Sequence, residues 1–104
     1  MEYKKSFFGK TMINSSDSEE KENIEEIELE YYETRNFNET NKREYGIEVI
    51  KKRKKNERFN IESKIVNNIS NEENVINKLL EIMLTNKVTP IAVDDIISDT
   101  TVLE

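Results

Sequence analysis

The most conspicuous residues that could do chemistry form a run of consecutive basic side chains, Lys51, Lys52, Arg53, Lys54 and Lys55. Residues 42–55 hold seven basic and two acidic side chains, which gives a local charge of +5. Basic side chains at the tip of a hairpin can contact the phosphates of a nucleic acid or of a smaller ligand. The alternative is a solvated turn whose charge is balanced by residues 17–33, which hold nine acids and one lysine. The net charge of −6 weighs against a dedicated nucleic-acid binder.

A second ionisable group lies near the C-terminus, where Asp94, Asp95 and Asp99 follow one another closely. Carboxylates can bind a divalent cation, but this spacing does not follow the pattern of a calcium-binding loop. Asp94 and Asp95 instead fit the first turn of a helix, where the helix dipole stabilises negative charge. We therefore expect no metal site and no cofactor.

The residue types that the chain lacks exclude several classes of enzyme. It has no histidine and no cysteine, and its only glycines are Gly9 and Gly46. Serine–histidine hydrolases, thiol proteases, zinc hydrolases and glycine-rich phosphate loops are therefore excluded. We expect no catalytic residues and no enzymatic activity. Gly46 lies within a strand pattern, which predicts a bulge or a close approach of another backbone.

One amphipathic helix is predicted over residues 70–83, because apolar side chains recur there at helical spacing. Its apolar stripe consists of Val75, Ile76, Leu79, Leu80 and Met83. Pro90 interrupts helical structure downstream of this stripe. A second, short helix is predicted to carry Val93, Ile96 and Ile97.

Three alternating runs upstream of the helix predict β-strands. The side chains expected to face inward are Ile27, Leu29 and Tyr31 in the first run, Tyr45, Ile47 and Val49 in the second, and Phe59, Ile61 and Ile65 in the third. Short polar connections favour an antiparallel meander, whose apolar face the helix would cover. The expected fold is α+β: a three-stranded antiparallel meander covered by one amphipathic helix, plus a short C-terminal helix. The predicted core comprises Ile27, Leu29, Ile47, Val49, Ile61, Ile65, Ile76, Leu79, Leu80 and Met83.

The chain is expected to form one small domain over residues 24–104, preceded by a flexible tail over residues 1–23. The tail is predicted because that segment has no periodic apolar face. The alternative is that Phe7 and Phe8 dock on the domain or on a partner.

The edges of the predicted sheet suggest how a partner could bind. In a three-stranded meander the first and third strands are edges, and Glu26, Glu28 and Glu30 protect the first. The third strand has mixed charges and no proline, so it can accept a strand from another chain. We therefore expect partner contacts on this edge and on the outer face of the sheet, formed by Tyr32, Ile50, Asn60, Glu62 and Lys64. The partner would be another protein or a second copy of the chain, and a monomer is the alternative.

Segments 45–52, 61–70 and 86–99 read YGIEVIKK, IESKIVNNIS and NKVTPIAVDDIISD. Together they resemble a small family of uncharacterised proteins from clostridia and related low-GC Gram-positive bacteria, catalogued as a domain of unknown function. The resemblance covers residues 29–99 and is most specific in the last segment. It implies a small single-domain cytoplasmic protein with no assigned activity and no catalytic residue to transfer.

The sequence therefore favours a small cytoplasmic, non-catalytic binding or regulatory module that acts through protein–protein contacts. The first alternative is a nucleic-acid-binding protein that uses the basic hairpin 51–55. The second is an enzyme that relies on carboxylate, lysine or tyrosine side chains alone. No apolar run reaches the roughly 18 residues that a membrane-spanning helix needs, so no membrane contact is expected.

Overall fold

The computed structural model describes residues 2–14, 25–37 and 43–101 of the chain. These residues form strands β1 (Glu2–Asn14), β2 (Glu25–Phe37), β3 (Arg43–Lys55) and β4 (Arg58–Ser70), helices α1 (Glu73–Thr85) and α2 (Val93–Thr101), and a 3₁₀ turn at Pro90–Ala92. The sheet is antiparallel, and its strands lie in the order β1-β2-β3-β4. The predicted α+β class, antiparallel sheet and two helices are confirmed, but the predicted number of three strands is wrong.

The additional strand comes from the segment predicted to be a flexible tail. β1 pairs with β2 from Glu2, opposite Phe37, to Asn14, opposite Glu26. Residues 2–14 are thus an edge strand rather than a loose tail, and residues 15–23 of the predicted tail lie outside the described residues. Because β1 pairs with β2, β2 is not an edge strand. The prediction that the strand carrying Glu26, Glu28 and Glu30 lies at an edge is therefore also wrong.

A β-bulge explains why β1 shows no simple alternation in the sequence. The register of β1 on β2 shifts between Phe7 and Gly9. A bulge inserts one extra residue into one strand only. On β1, the side chains that share a face therefore have odd numbers before the bulge and even numbers after it. Phe7 lies opposite Tyr32 before the bulge, and Met12 lies opposite Glu28 after it, on the same face of the sheet.

The central strands β2 and β3 supply the apolar face that the helices cover. Its buried side chains are Leu29, Tyr31, Tyr45, Ile47 and Val49, and Ile27 packs at its margin. We call this side of the sheet the core face. Tyr31 donates a hydrogen bond of 2.8 Å from its hydroxyl to the carbonyl oxygen of Val88 beyond α1. Burial raises the pKa of Tyr31 to about 12. The inward alternation predicted for these two strands is confirmed.

A tight turn connects β3 to β4 and sets their register. Asn56 and Glu57 both adopt left-handed backbone conformations, with φ of 50° and 67°. Two consecutive residues with positive φ are characteristic of the type I′ turn that joins two-residue hairpins. The residues at either end, Lys55 and Arg58, lie directly opposite each other.

This register turns the apolar side of β4 away from the helices. Phe59 lies opposite Lys54, and Ile61 lies opposite Lys52. These two side chains and Ile65 are 73%, 65% and 47% exposed. The prediction that Phe59, Ile61 and Ile65 point inward is therefore wrong. A one-residue change of register exchanges the two faces of a strand, and here the turn decides it.

Near its C-terminal end β4 bulges opposite Gly46. The register of β3 on β4 shifts between Tyr45 and Ile47, and Asn68 in the bulged segment has a φ of 60°. An ideal Cβ at position 46 would lie 2.3 Å from the carbonyl oxygen of Val66. Only glycine fits without movement of the β4 backbone. The close backbone approach predicted at Gly46 is confirmed.

Helix α1 covers the core face. Its side chains Ile76, Leu79, Leu80 and Met83 are fully buried, and Val75 is partly buried against them. Burying these four fully buried side chains contributes about 8 kcal/mol of gross stabilisation, at about 2 kcal/mol each. The loss of chain entropy offsets most of it. The predicted apolar stripe is confirmed. The helix begins at Glu73, and the Ser70 hydroxyl oxygen accepts a 3.0 Å hydrogen bond from the Glu72 amide.

The second predicted helix is present as α2. Val93 is buried in the core, and Ile96 and Ile97 pack against its margin. Lys64 of β4 forms a 3.1 Å ion pair with Asp94 of α2. This ion pair places Lys64 on the helix side of the sheet.

Candidate interaction surface

The side of the sheet opposite the core face is not covered by either described helix. We call it the open face. Its apolar side chains come from all four strands: Tyr3, Phe7, Met12, Tyr32, Ile50, Phe59, Ile61 and Ile65. Among the described residues, eight large hydrophobic side chains are exposed, and six of them belong to this set. An exposed apolar patch of this kind is characteristic of a surface that binds another molecule.

The apolar side chains of the open face form two groups. At one end, the rings of Phe7 and Tyr32 pack edge to face with their centroids 5.6 Å apart. At the other end, Met12, Phe59 and Ile61 line a depression of about 210 Å³. Charged side chains of the open face also line it, namely Glu26, Glu28, Lys52 and Lys54, and Arg53 belongs to the lining between the two lysines of β3. The depression thus combines an apolar floor with a charged rim, as the centre and rim of many protein interfaces do.

Ion pairs between strands neutralise most of the charge on the open face, and one of them reaches across β2 from β1 to β3. The pairs are Lys5–Glu48 at 2.8 Å, Lys10–Glu28 at 3.2 Å and Lys52–Glu30 at 2.8 Å. The hydrogen bond that Lys5 donates to Glu48 raises the pKa of Lys5, and the hydrogen bond that Lys52 donates to Glu30 raises the pKa of Lys52. The Lys5 ammonium group also lies 4.2 Å from the centroid of the Tyr32 ring.

The basic run does not form a hairpin tip. Residues 51–55 are the last part of β3, and the turn follows them. Because side chains alternate along a strand, Lys52 and Lys54 lie on the open face and the other three lie on the opposite side. Lys52 is already paired with Glu30, and Lys54 lies 5.7 Å from the centroid of the Phe59 ring. A separate cleft of about 600 Å³ beside the turn is lined by Arg53, Lys55, Asn56, Arg58, Phe59 and Asn60.

A partly buried ionisable cluster lies at the start of α1. The Arg35 guanidinium contacts Glu33 at 3.2 Å, and it also pairs with Glu73 and stacks over Tyr45. Burial raises the pKa of Glu33, and a hydrogen bond with Glu73 raises it further. This arrangement links β2 to α1. Among the described residues, no group of three or more carboxylates lies close enough to hold a metal ion.

Residues 10–102 match a family of unknown function, DUF6514. This chain belongs to the DUF6514 family. No curated protein and no solved structure matches it. In the described part of this DUF6514 domain, no helix combines the length and apolar character required to cross a bilayer.

The five predicted partner residues fall on both sides of the DUF6514 sheet. Tyr32 and Ile50 are half-buried on the open face, as expected. Asn60, Glu62 and Lys64 alternate onto the other side of β4, where Lys64 meets Asp94. The expectation that this strand is an edge of the sheet is confirmed. The role of all five residues in partner contacts stays a prediction.

Sequence reasoning did not place Met12, Phe59, Ile61 and Ile65 on the open face of this DUF6514 domain, and it named Phe7 only in the alternative that Phe7 and Phe8 dock on the domain or on a partner. A two-residue turn at positions 56 and 57 would have placed Phe59 opposite Lys54 and Ile61 opposite Lys52. The signal for the β1 residues is two short alternations that are offset by one position, which is how a bulged strand appears in sequence.

Proposed function

We propose that this DUF6514 protein is a small non-catalytic binding module whose open face docks on an apolar surface of another protein. The observation that supports the proposal is the concentration of exposed apolar side chains on that face. Removing apolar surface from water contributes about 25 cal/mol per Å², so a partner that covers this face is bound favourably. The core face already supplies the apolar burial that folding requires.

The charges of the open face favour an apolar protein partner over a nucleic acid. Its described acidic side chains are Glu26, Glu28, Glu30 and Glu48, and its described basic side chains are Lys5, Lys10, Lys52 and Lys54. These groups balance one another, whereas binding to nucleic acid depends on unpaired basic groups that reach phosphates. Burying charges that are already paired leaves fewer uncompensated charges in an interface.

The cellular setting is a further part of the proposal. We place the protein in the cytoplasm of a low-GC Gram-positive bacterium. The cysteine-free sequence fits a reducing compartment, and the resemblance of segments 45–52, 61–70 and 86–99 supports the source.

Contact with a nucleic acid through the basic end of β3 is the second candidate function. The cleft beside the turn favours it, because Arg53, Lys55 and Arg58 line the cleft. Basic groups gathered in a groove can follow the phosphates of a single strand. Binding of single-stranded RNA by this route would weaken steeply with added salt, and Lys55→Ala with Arg58→Ala would reduce that salt dependence.

Affinity capture from the native host tests the first proposal. The wild-type protein and the double variant Phe59→Ser/Ile61→Ser serve as baits, and captured proteins are quantified by mass spectrometry. We expect at least one protein to be captured by the wild type and lost with the double variant, because both substitutions remove apolar area from the open face.

Ile91→Ser is the matched control. Ile91 is 90% exposed in the 3₁₀ turn and belongs to no strand of the sheet, so this variant also removes an exposed isoleucine. It should retain the captured protein. A capture profile that responds equally to both variants, or to neither, contradicts the assignment of the open face as the binding surface.

A further inference from the structure

Strand β4 is a long, exposed edge with little protection against pairing. It runs from Arg58 to Ser70, and no described strand pairs with its outer side. The outward-directed amide and carbonyl groups of an edge strand can pair with another strand. Most side chains over residues 58–66 are exposed on both faces. The outer side of β4 is therefore accessible to a further strand.

The sequence of β4 is complementary to itself when two copies run antiparallel about Ser63. Glu62 of each copy then lies opposite Lys64 of the other. Ile61 of each copy lies opposite Ile65 of the other. Directly opposed residues of antiparallel strands have contacting side chains, and both opposite charges and β-branched pairs stabilise the pairing. One register therefore provides two charge pairs and two isoleucine pairs.

The neighbouring registers lack this complementarity. Centring the pair on Glu62 places the two Glu62 carboxylates opposite each other. Centring it on Lys64 places two ammonium groups opposite each other, and centring it on Ile61 places Arg58 opposite Lys64. Like charges that lie directly opposite destabilise a strand pair. A pair centred on Asn60 unites Arg58 with Glu62, but it is limited to residues 58–62 because the strand begins at Arg58.

The opposite edge of the sheet is less suited to self-association. β1 carries Lys4, Lys5 and Lys10, and its bulge between Phe7 and Gly9 interrupts the regular ladder. Lysines and bulges are devices that protect sheet edges from pairing. β4 has no register shift against β3 over residues 58–66. The two edges thus differ in the property that decides whether a second copy can add to the sheet.

We propose that the protein forms a symmetric homodimer in which β4 pairs antiparallel with β4 of a second copy, centred on Ser63. The two sheets become one eight-stranded sheet, and their open faces lie side by side. Asp94 and Lys64 of one copy and Glu62 of the other form a three-membered ion network on the helix side. This inference concerns the edge of the sheet and does not depend on the partner proposed for the open face.

Charge exchange tests the proposed register. Glu62→Lys and Lys64→Glu each replace both intermolecular pairs with like charges, so each variant alone should dimerise roughly tenfold more weakly than the wild type. The double variant Glu62→Lys/Lys64→Glu restores both pairs and should dimerise again. An equimolar mixture of the two single variants should form a heterodimer with both pairs intact. Sedimentation velocity from micromolar to several hundred micromolar measures each case, and thermal unfolding checks that every variant is folded.

Cysteine crosslinking locates the twofold axis. The chain has no cysteine, so an introduced thiol is unique. Opposed Cα atoms in an antiparallel pair lie about 4.5–5.5 Å apart, within disulfide range. Ser63→Cys should therefore crosslink under mild oxidation. In the same register the thiols of Asn60→Cys lie about 20 Å apart and should stay reduced.

Three outcomes overturn the proposal: a monomeric wild type throughout the concentration range, a dimer that ignores the charge exchanges, or crosslinking of Asn60→Cys in preference to Ser63→Cys. These outcomes are separable from a failure of the open-face proposal. Glu62 and Lys64 lie on the helix side of β4, so their variants leave the open face intact. A variant made monomeric by charge exchange should still capture the open-face partner.

Discussion

The two faces of the sheet carry comparable numbers of apolar side chains, but these side chains differ in how far they are buried. On the core face, Leu29, Tyr31, Ile47 and Val49 are fully buried beneath α1. On the open face, Phe7, Met12, Phe59 and Ile61 remain exposed. The difference shows that apolar alternation identifies a strand without identifying which side becomes the core. The described helices cover only the core face, so the open face is available for another role.

The largest effect that distinguishes the two faces should come from truncating one apolar side chain on each side of the molecule. Leu79→Ala removes a fully buried side chain of α1 and should reduce the free energy of unfolding by about 2–5 kcal/mol. Ile61→Ala at the exposed open face should change it by less than about 1 kcal/mol. Urea denaturation measures both values. Equal losses would mean that the open face contributes to the core.

The two glycines provide the next largest contrast. Gly46→Ala places a Cβ 2.3 Å from the backbone oxygen of Val66, and relieving this overlap should cost about 1–3 kcal/mol. Gly9→Ala meets the Leu84 side-chain tip at 3.0 Å, which a flexible side chain can relieve. Thermal unfolding should therefore show a much larger loss for Gly46→Ala. A reversed order would contradict the backbone approach between β3 and β4.

The parts of the fold that could be predicted are those with an uninterrupted period. Val75 to Met83 keep helical spacing, and Leu29 and Tyr31 keep strand spacing, so their burial followed directly. β1 could not be predicted because the bulge at Phe7 and Gly9 divides its alternation into two short pieces. β4 was recognised as a strand, but the two-residue turn decides which of its sides faces the helices. The alternation of Phe59 and Ile61 does not indicate that side.

The smallest expected effect is on the pH dependence of stability, and it comes from the buried carboxyl group of Glu33 on the core face. Burial raises the pKa of Glu33 above its ordinary 4.5, so between pH 4.5 and the raised pKa the folded state holds a proton that the unfolded state has lost. The contribution of Glu33 to stability should therefore fall as the pH rises from 4.5 through the raised pKa, and then become constant. Glu33→Gln removes this titration, so the variant should be more stable than the wild type at pH values above the raised pKa.

Melting temperatures of the two proteins across this pH range provide the measurement. The difference between them should vanish below pH 4.5, where the Glu33 carboxyl group is protonated in both states. Glu72→Gln, at an exposed position beside the same helix, is the control for the loss of one carboxyl group. A constant difference at every pH would show that the substitution acts through packing rather than through the proton.

The candidate surface was predicted less well than the fold. Tyr32 and Ile50 were assigned to the outer face correctly, because β2 and β3 have regular alternation. Asn60, Glu62 and Lys64 were chosen as outward residues, since Ile61 was taken to face the core. The structure exchanges these roles: the apolar residues of β4 lie on the open face, and the polar residues line the helix side of its edge.

The order of the strands has a consequence for how the chain folds. Every strand pairs with the strand that precedes or follows it in the sequence, so each pairing is local and requires little loop-closure entropy. The helix that covers the core face comes after all four strands. A chain growing from the ribosome can therefore form hairpins early, but both faces of its sheet stay in contact with water until α1 emerges. The step that stabilises the sheet, its covering by α1, therefore comes last in synthesis. A chain that stops before Glu73 lacks the helix that completes the core.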